Sequence, residues 1–436
     1  MLLVGESGSR QRLSTEESPV TVSATLAANE AIAARRAAGL EVLALGFGEA
    51  GIPVHPLLRQ RLAQAAGEIA YGPVAGIDAA REAAAGYWTR RGLPTEAGHV
   101  LLGPGSKPIL FALLHAVGGD VVLPAPAWVS YAAQSQLLGR EPIRVPVPVG
   151  EGGVPDAEAM DAAVRAARAA GRDPRVVVVT LPDNPTGRLA SERSVKALCE
   201  TARELDLLIV ADEIYRDLVF EEGPFPSPAA WAPERTVTTT SLSKNYALGG
   251  WRVGAARFPD SPMGTRLLES VRGTASELWS STPMPMQHAA AYAWGDPPEL
   301  VERVAAARRL HGSVARAVAG TFASVGCTVP APQGGFYVWP DFAPLRGALA
   351  ERWGVATSAD LARVLLDEFG VVVLPGSAFG DDPASLTLRV AVTGIYGVSD
   401  SERLAALVAP EPAAMPWIAE SLEGLRDKLA ALVAAP

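Results

Sequence analysis

The sequence is short of the residues that staple, chelate or anchor a chain. Only two cysteines stand among 436 residues. Cys199 and Cys327 lie far apart in apolar or helical surroundings, which excludes a disulfide framework and suggests a reducing compartment. Five histidines, at positions 55, 99, 115, 288 and 311, show no ligand spacing, so no metal centre is expected. Cationic residues are in the minority, 38 Lys and Arg against 47 Asp and Glu for a net charge of −9, and they form no basic run. Neither nucleic acid nor a membrane is therefore the expected partner. No window holds the long uncharged stretch of a membrane span, and the opening MLLVGESGSRQRLSTEES lacks the basic start and apolar run of a signal peptide. These absences leave the expectation of a soluble cytoplasmic chain acting on a small molecule.

What is present has the length for a large domain and a smaller one. Strand-like runs HVLLG, DVVLP, RVVVVTLP, DLLIVADE, RTVTTTSLS and VGAARF alternate with helical patterns such as KPILFALLHAV and SERSVKALCETAREL. Continuous Val, Leu and Ile strands separated by helices predict an α/β domain whose mostly parallel sheet is buried on both faces. Such sheets bind ligands at the carboxyl ends of their strands. After residue 300 a long helical run leads to GGFYVWPDF, ADLARVLLDEFG, VVVLPG and LTLRVAVT, which reads as a smaller α+β unit joined by the N-terminal helix SATLAANEAIAARRAAG. The last residues form one more amphipathic helix.

Polar groups gather just after the predicted strands. GPGSKP, residues 103 to 108, sets two glycines, a serine and a lysine before a helix, where free N–H groups favour a phosphate. Alone, such a loop is more often just a turn. LPDNPTG carries Asn184 in a good turn sequence, and VADEIY puts Asp212 and Glu213 where a strand is still buried. A carboxylate there needs a cation or donors, although a helix cap for EIYRDLVF would also use it. TTTSLSKNYALGGWRVG ends a β-branched strand in Lys244, with Arg252 eight residues on. A phosphate cradle, an asparagine, an acid at a buried strand end and a strand-end lysine together meet the needs of pyridoxal 5′-phosphate. Lys244 would form the Schiff base, Asp212 would keep the pyridine nitrogen protonated, and Ser106, Ser241 and Arg252 would hold the phosphate.

In this order along the chain, the motifs DNPTG, ADEIY and SLSKNYALGGWRVG resemble those of the fold-type I, class I/II aminotransferases, most closely the bacterial aspartate-type and broad-specificity subgroup. The similarity runs from about Ser23 to the last strands. It implies an α/β fold with a mostly parallel, seven-stranded sheet in a large domain at residues 53–305, and a small domain built from 23–52 and 306–436 behind an N-terminal extension, 1–22. It further implies that Lys244 is the aldimine lysine and proton carrier, that Asp212 pairs with the ring nitrogen, and that Asn184 and Tyr215 bond the ring oxygen. Gly105, Ser106, Lys107, Ser241, Ser243 and Arg252 match the phosphate positions, and Trp128 the aromatic that stacks on the ring. Arg389 matches the arginine that grips the substrate α-carboxylate bidentately, with Gly48, Trp128 and Asn184 beside the substrate. Without that context Arg389 reads as a strand residue facing solvent.

The resemblance implies a homodimer with shared sites, to which Tyr71 and Thr282 contribute across the interface. The implied activity moves an amino group between an amino acid and a 2-oxo acid by way of pyridoxamine phosphate. A lyase or cyclase that eliminates from an activated amino acid, such as S-adenosylmethionine, would use the same Lys244 and Asp212. Two features depart from the family pattern. The loop after Gly48 reads EAGIPVHP, and Glu277 falls near the arginine that true aspartate enzymes carry for the distal carboxylate. The second leads to the expectation that acidic amino acids are poor substrates.

Overall fold

The computed structural model describes residues 22–434. Twelve strands run in chain order as β1 (Leu43–Ala44), β2 (Val100–Gly103), β3 (Asp120–Ala125), β4 (Ile143–Pro146), β5 (Pro174–Thr180), β6 (Leu208–Asp212), β7 (Thr236–Ser241), β8 (Gly254–Arg257), β9 (Tyr337–Val338), β10 (Val371–Val372), β11 (Leu374–Pro375) and β12 (Leu388–Ala391). Seven of them form one sheet in the order β2-β8-β7-β6-β5-β3-β4. The neighbours β7, β6, β5, β3 and β4 are parallel, and β8 runs antiparallel between β7 and β2. The fold is thus α/β with a mostly parallel seven-stranded sheet.

Burial explains why the central strands are so apolar. Every residue of β6, β7 and β8 is buried, because helices cover both faces. One face packs Val176, Val178 and Val210 against the helices Ser106–Val117 and Pro262–Leu278. The other packs Val177, Val179 and Ile209 against Ala157–Ala169 and Glu192–Glu204. The six predicted strands of this sheet correspond to β2, β3, β5, β6, β7 and β8. Sequence reading missed β4, whose Arg144 and Pro146 are exposed while Ile143 and Val145 are buried, since a four-residue edge strand with a proline gives little periodic signal.

A second apolar cluster gathers around the 27-residue helix Pro298–Ser324 and takes in Leu45 from the N-terminal part and Leu425 and Leu429 from the last helix, Pro416–Val433. Here β1 pairs in parallel with β10, and β12 lies between β11 and β9 in an antiparallel three-stranded sheet. The N-terminal helix spans Ala24–Ala37. Of the expected extension, residues 1–21 lie outside the described residues. Among those described, no helix is long and apolar enough to cross a membrane. Cys199 and Cys327 are buried and unpaired.

Candidate active site

The parallel strands β5 and β6 end in Thr180 and Asp212, and both residues line a cavity of about 500 Å³. Asp212 is the final residue of β6, and in the β6–β7 register it stands beside Thr239. Its carboxylate is buried and accepts from Tyr131 Oη at 2.9 Å and Thr239 Oγ1 at 3.0 Å. Burial pushes this acid up to about 6, against the pull of those donors, the Ile214 backbone and nearby Lys244. No helix starts here. EIYRDLVF forms only the short 3₁₀ turn Arg216–Leu218, which corrects the helix-cap alternative.

Lys244 sits in the short helix Leu242–Asn245 that follows β7 directly. Its ammonium donates to the Gly48 carbonyl at 2.6 Å. Burial and the charge of Arg389 bring the amine down to about 8, with Arg252 adding to the shift and Glu49 and Asp212 opposing it. A lysine so poised loses its proton near neutrality, as a nucleophilic amine requires.

The cradle at Gly105 is backbone-made. Gly105 has φ 90° and caps the helix Ser106–Val117, and a Cβ there would run into the Arg252 guanidinium. Arg252 itself lies in the left-handed region at φ 55° and donates to the carbonyls of Gly249 and Pro104 at 2.8 and 3.2 Å. Ser241 Oγ accepts from the Ser243 N–H at 3.1 Å. The Lys107 ammonium stands 4.9 Å from the Trp128 ring centre, and burial, then Arg252, lowers its affinity for a proton. A helix N-terminus with the Arg252 guanidinium beside it suits a phosphate.

Arg389, in β12, is fully buried and, among the described residues, has no carboxylate partner. Its Nη2 donates to the Gly46 carbonyl at 2.5 Å and its Nη1 to Asn184 Oδ1 at 3.4 Å, while Nε has no partner at all. The Tyr337 and Phe379 rings each lie 4.9 Å from its Cζ. Tyr215 meets Tyr337 hydroxyl to hydroxyl at 2.9 Å. A buried guanidinium held between aromatic rings with an unmet donor calls for an anion.

The chain thus brings Gly48, Lys107, Trp128, Asn184, Tyr215 and Arg389 to the same cavity wall as Asp212 and Lys244. Ser106, Ser243 and Arg252 line it too, with Gly105 and Ser241 directly behind them. Tyr71 is not among them. It stands 91% exposed on the surface of its own chain. Glu277 is exposed at the end of the helix Pro262–Leu278 and accepts from Ser276 Oγ at 2.8 Å, away from the cavity lining, and Thr282 is buried.

Sequence reading missed Tyr131, Thr239, Tyr337 and Glu49. Tyr131 lies three residues beyond Trp128, one helical turn on, and Thr239 two residues before Ser241 on the same strand face, so spacing carried a signal for both.

The residues fit pyridoxal 5′-phosphate. Asp212 is a buried carboxylate without a hydrogen-bonded cation, the Gly105 cradle has room only for a main chain without Cβ, and Lys244 is an amine of lowered basicity.

A family model described as "Aminotransferase class I and II" matches residues 50–396. A probable aspartate/prephenate aminotransferase of Thermus aquaticus is 33% identical over 366 residues, 82% of this chain and 89% of that one. An aspartate/prephenate aminotransferase of Cereibacter sphaeroides is 32% identical over 380 residues, 84% of this chain and 90% of that one. Among solved structures, the aspartate aminotransferase from Thermus thermophilus with maleate matches with a TM-score of 0.78 at 27% identity, over 94% of this chain and 97% of that one.

Proposed function

Since the chain belongs to the class I and II aminotransferases, we propose a role for each residue of the cavity and a class of substrate. The chain is a pyridoxal 5′-phosphate-dependent aminotransferase that moves an amino group between an amino acid and a 2-oxo acid. The names of its relatives do not favour the elimination or cyclisation reading. The observation that carries the residue roles is the convergence of Lys244, Asp212 and Arg389 on one cavity.

When bound, the cofactor supplies an electron sink for the pair left behind when the substrate Cα loses its proton. Lys244 would be the residue that holds the cofactor covalently and the base that carries the Cα proton. Asp212, held in place by Tyr131 and Thr239, would face the ring nitrogen. Asn184 and Tyr215 would bond the ring oxygen, and Trp128 would cover the ring. Gly105, Ser106, Ser241, Ser243 and Arg252 would hold the phosphate. Arg389 fixes the α-carboxylate beside Gly48 and Asn184, which orients the Cα–H bond for proton loss.

For the side chain of the substrate, we propose a second carboxylate, met by Lys107. Relatives named for aspartate and prephenate support this, as does the Lys107 ammonium on the cavity wall, 4.9 Å from the Trp128 ring centre. Glu277 weighs against it only if a second copy of the chain brings that residue to the cavity mouth, the arrangement under which neutral or basic donors would be preferred. The proposal includes a homodimer in the cytoplasm, supported by the buried unpaired cysteines and by the exposure of Tyr71.

The test is a single turnover without acceptor. Each amino acid of a panel is mixed with the holoenzyme while the visible spectrum and the oxo acid product are followed. Aspartate or glutamate should give stoichiometric oxo acid fastest, and Lys107→Met should raise the KM for aspartate about tenfold while sparing alanine. Equal rates for aspartate, leucine and lysine would remove the dicarboxylate reading.

A further inference from the structure

The segment DEIYRD, residues 212 to 217, faces two ways. Asp212 and Tyr215 line the cavity, while Glu213, Arg216 and Asp217 turn into a buried ionic network on the other side. Asp217 accepts from Arg91 Nε at 2.7 Å, Tyr87 Oη at 2.9 Å and Asn245 Nδ2 at 3.0 Å. Asn245 is the immediate neighbour of Lys244. Arg91 lies over the Tyr87 ring, 3.6 Å from its centre, and also pairs with Asp296 at 2.7 Å. Arg216 bonds Glu213 and the Arg91 carbonyl, each at 2.7 Å. The Tyr246 hydroxyl reaches the Ala293 carbonyl at 3.0 Å.

We infer that Asp217 is a positioning residue, fastening the segment that carries Lys244 to the segment that carries Asp212 and Tyr215. The inference rests on Lys244 being the cofactor's covalent partner. Buried ion pairs add little net stability, because desolvation offsets their attraction, and they are best attested as devices that specify geometry. This one joins the two loops whose relative placement the reaction needs. Burial alone would raise the Asp217 carboxyl, but Arg91 and the donors Asn245 and Tyr87 keep it ionised. It therefore stays an acceptor for Asn245 throughout the working pH range.

The Lys244 amine is faced by Arg389, Arg252, Glu49, Asp212 and the Tyr215 ring. Attraction and repulsion among them vary steeply with separation. Releasing Asn245 from Asp217 lets the lysine shift among these charges, which changes its proton affinity without removing any of them.

The experiment titrates the visible absorbance of the holoenzyme's lysine-linked cofactor with pH in wild type, Asn245→Ala and Asp217→Asn, with thermal unfolding measured alongside. In both variants the midpoint should move by about half a pH unit or more, and kcat should fall about tenfold. A purely structural role would lower the unfolding temperature and leave the midpoint in place. Wild-type midpoints in both variants would overturn the inference. Should Asp217→Asn fail to fold, Asn245→Ala decides alone, because it leaves the Asp217–Arg91–Asp296 pairs intact. Lys244→Ala serves as the control. If it kept the lysine-linked band, the site reading itself would be wrong and this inference would fall with it, whereas loss of the band with unmoved midpoints in the other variants faults the positioning role only.

Discussion

Asp212 spends its life as a carboxylate in a place that disfavours one. Its acid titrates near 6 in the folded chain against 3.8 when free, so between those values the folded protein holds a proton that the unfolded chain has lost. Stability of the cofactor-free protein therefore falls as pH rises from about 4 to 6, and the deficit persists above that range. Asp212→Asn removes the burden. Its cofactor-free form should match or exceed wild type in denaturant midpoint at pH 7.5, with the gap closing toward pH 4, while the loaded enzyme loses about a hundredfold in kcat. A wild-type profile with no slope between pH 4 and 6 would contradict this. Lys244 and Asp212 were legible in the sequence because charged residues at the ends of buried strands violate the rule that charge avoids the interior, whereas Arg389, inside β12, was picked out by the family resemblance alone. Tyr337 was not legible, because an aromatic residue is what a strand would hold in any case, and for Tyr131 and Thr239 the same ambiguity masked the signal that their spacing from Trp128 and Ser241 carried.

At the scale of elements, the decisive piece is the helix Ser106–Val117, whose start faces Arg252 across Gly105. Gly105→Ala would force a side chain onto the guanidinium and strain a residue at φ 90°. The expected result is a cofactor dissociation constant raised at least about tenfold, measured by equilibrium dialysis, with the apo fold retained by circular dichroism. An unchanged constant would mean that this cradle does not hold the phosphate. The central strands were readable from continuous apolar runs, since a sheet covered on both faces leaves no polar alternation to confuse them. VVVLPG was readable as a strand and holds both β10 and β11, whereas β1, two residues long, carries too few residues for any period to show. The segment after Asp212 makes only a 3₁₀ turn, tied by the Arg216–Glu213 pair at i,i+3, while Asp217 turns to the distant Arg91, Tyr87 and Asn245.

For the whole molecule, Ile69 and Tyr71 are 95% and 91% exposed on one loop, a costly display for a monomer and a reasonable one for a face that a second copy covers. If Tyr71 completes the neighbouring site, neither Lys244→Ala nor Tyr71→Phe protomers work well alone. Unfolding and refolding them together should restore about a quarter of wild-type activity, since half the dimers are mixed and each mixed dimer holds one intact site. No gain on mixing would place Tyr71 outside the reaction. Arg389 has a consequence of its own at this scale. Packed against the rings of Tyr337 and Phe379, it is buried in place, and the α-carboxylate it is proposed to grip is common to every amino acid and every 2-oxo acid. Both reactants then queue for a single berth, and whichever arrives at the wrong half of the cycle blocks the other. Throughput is governed by the ratio of donor to acceptor rather than by their total supply, which makes the enzyme a gauge of nitrogen balance as much as a catalyst.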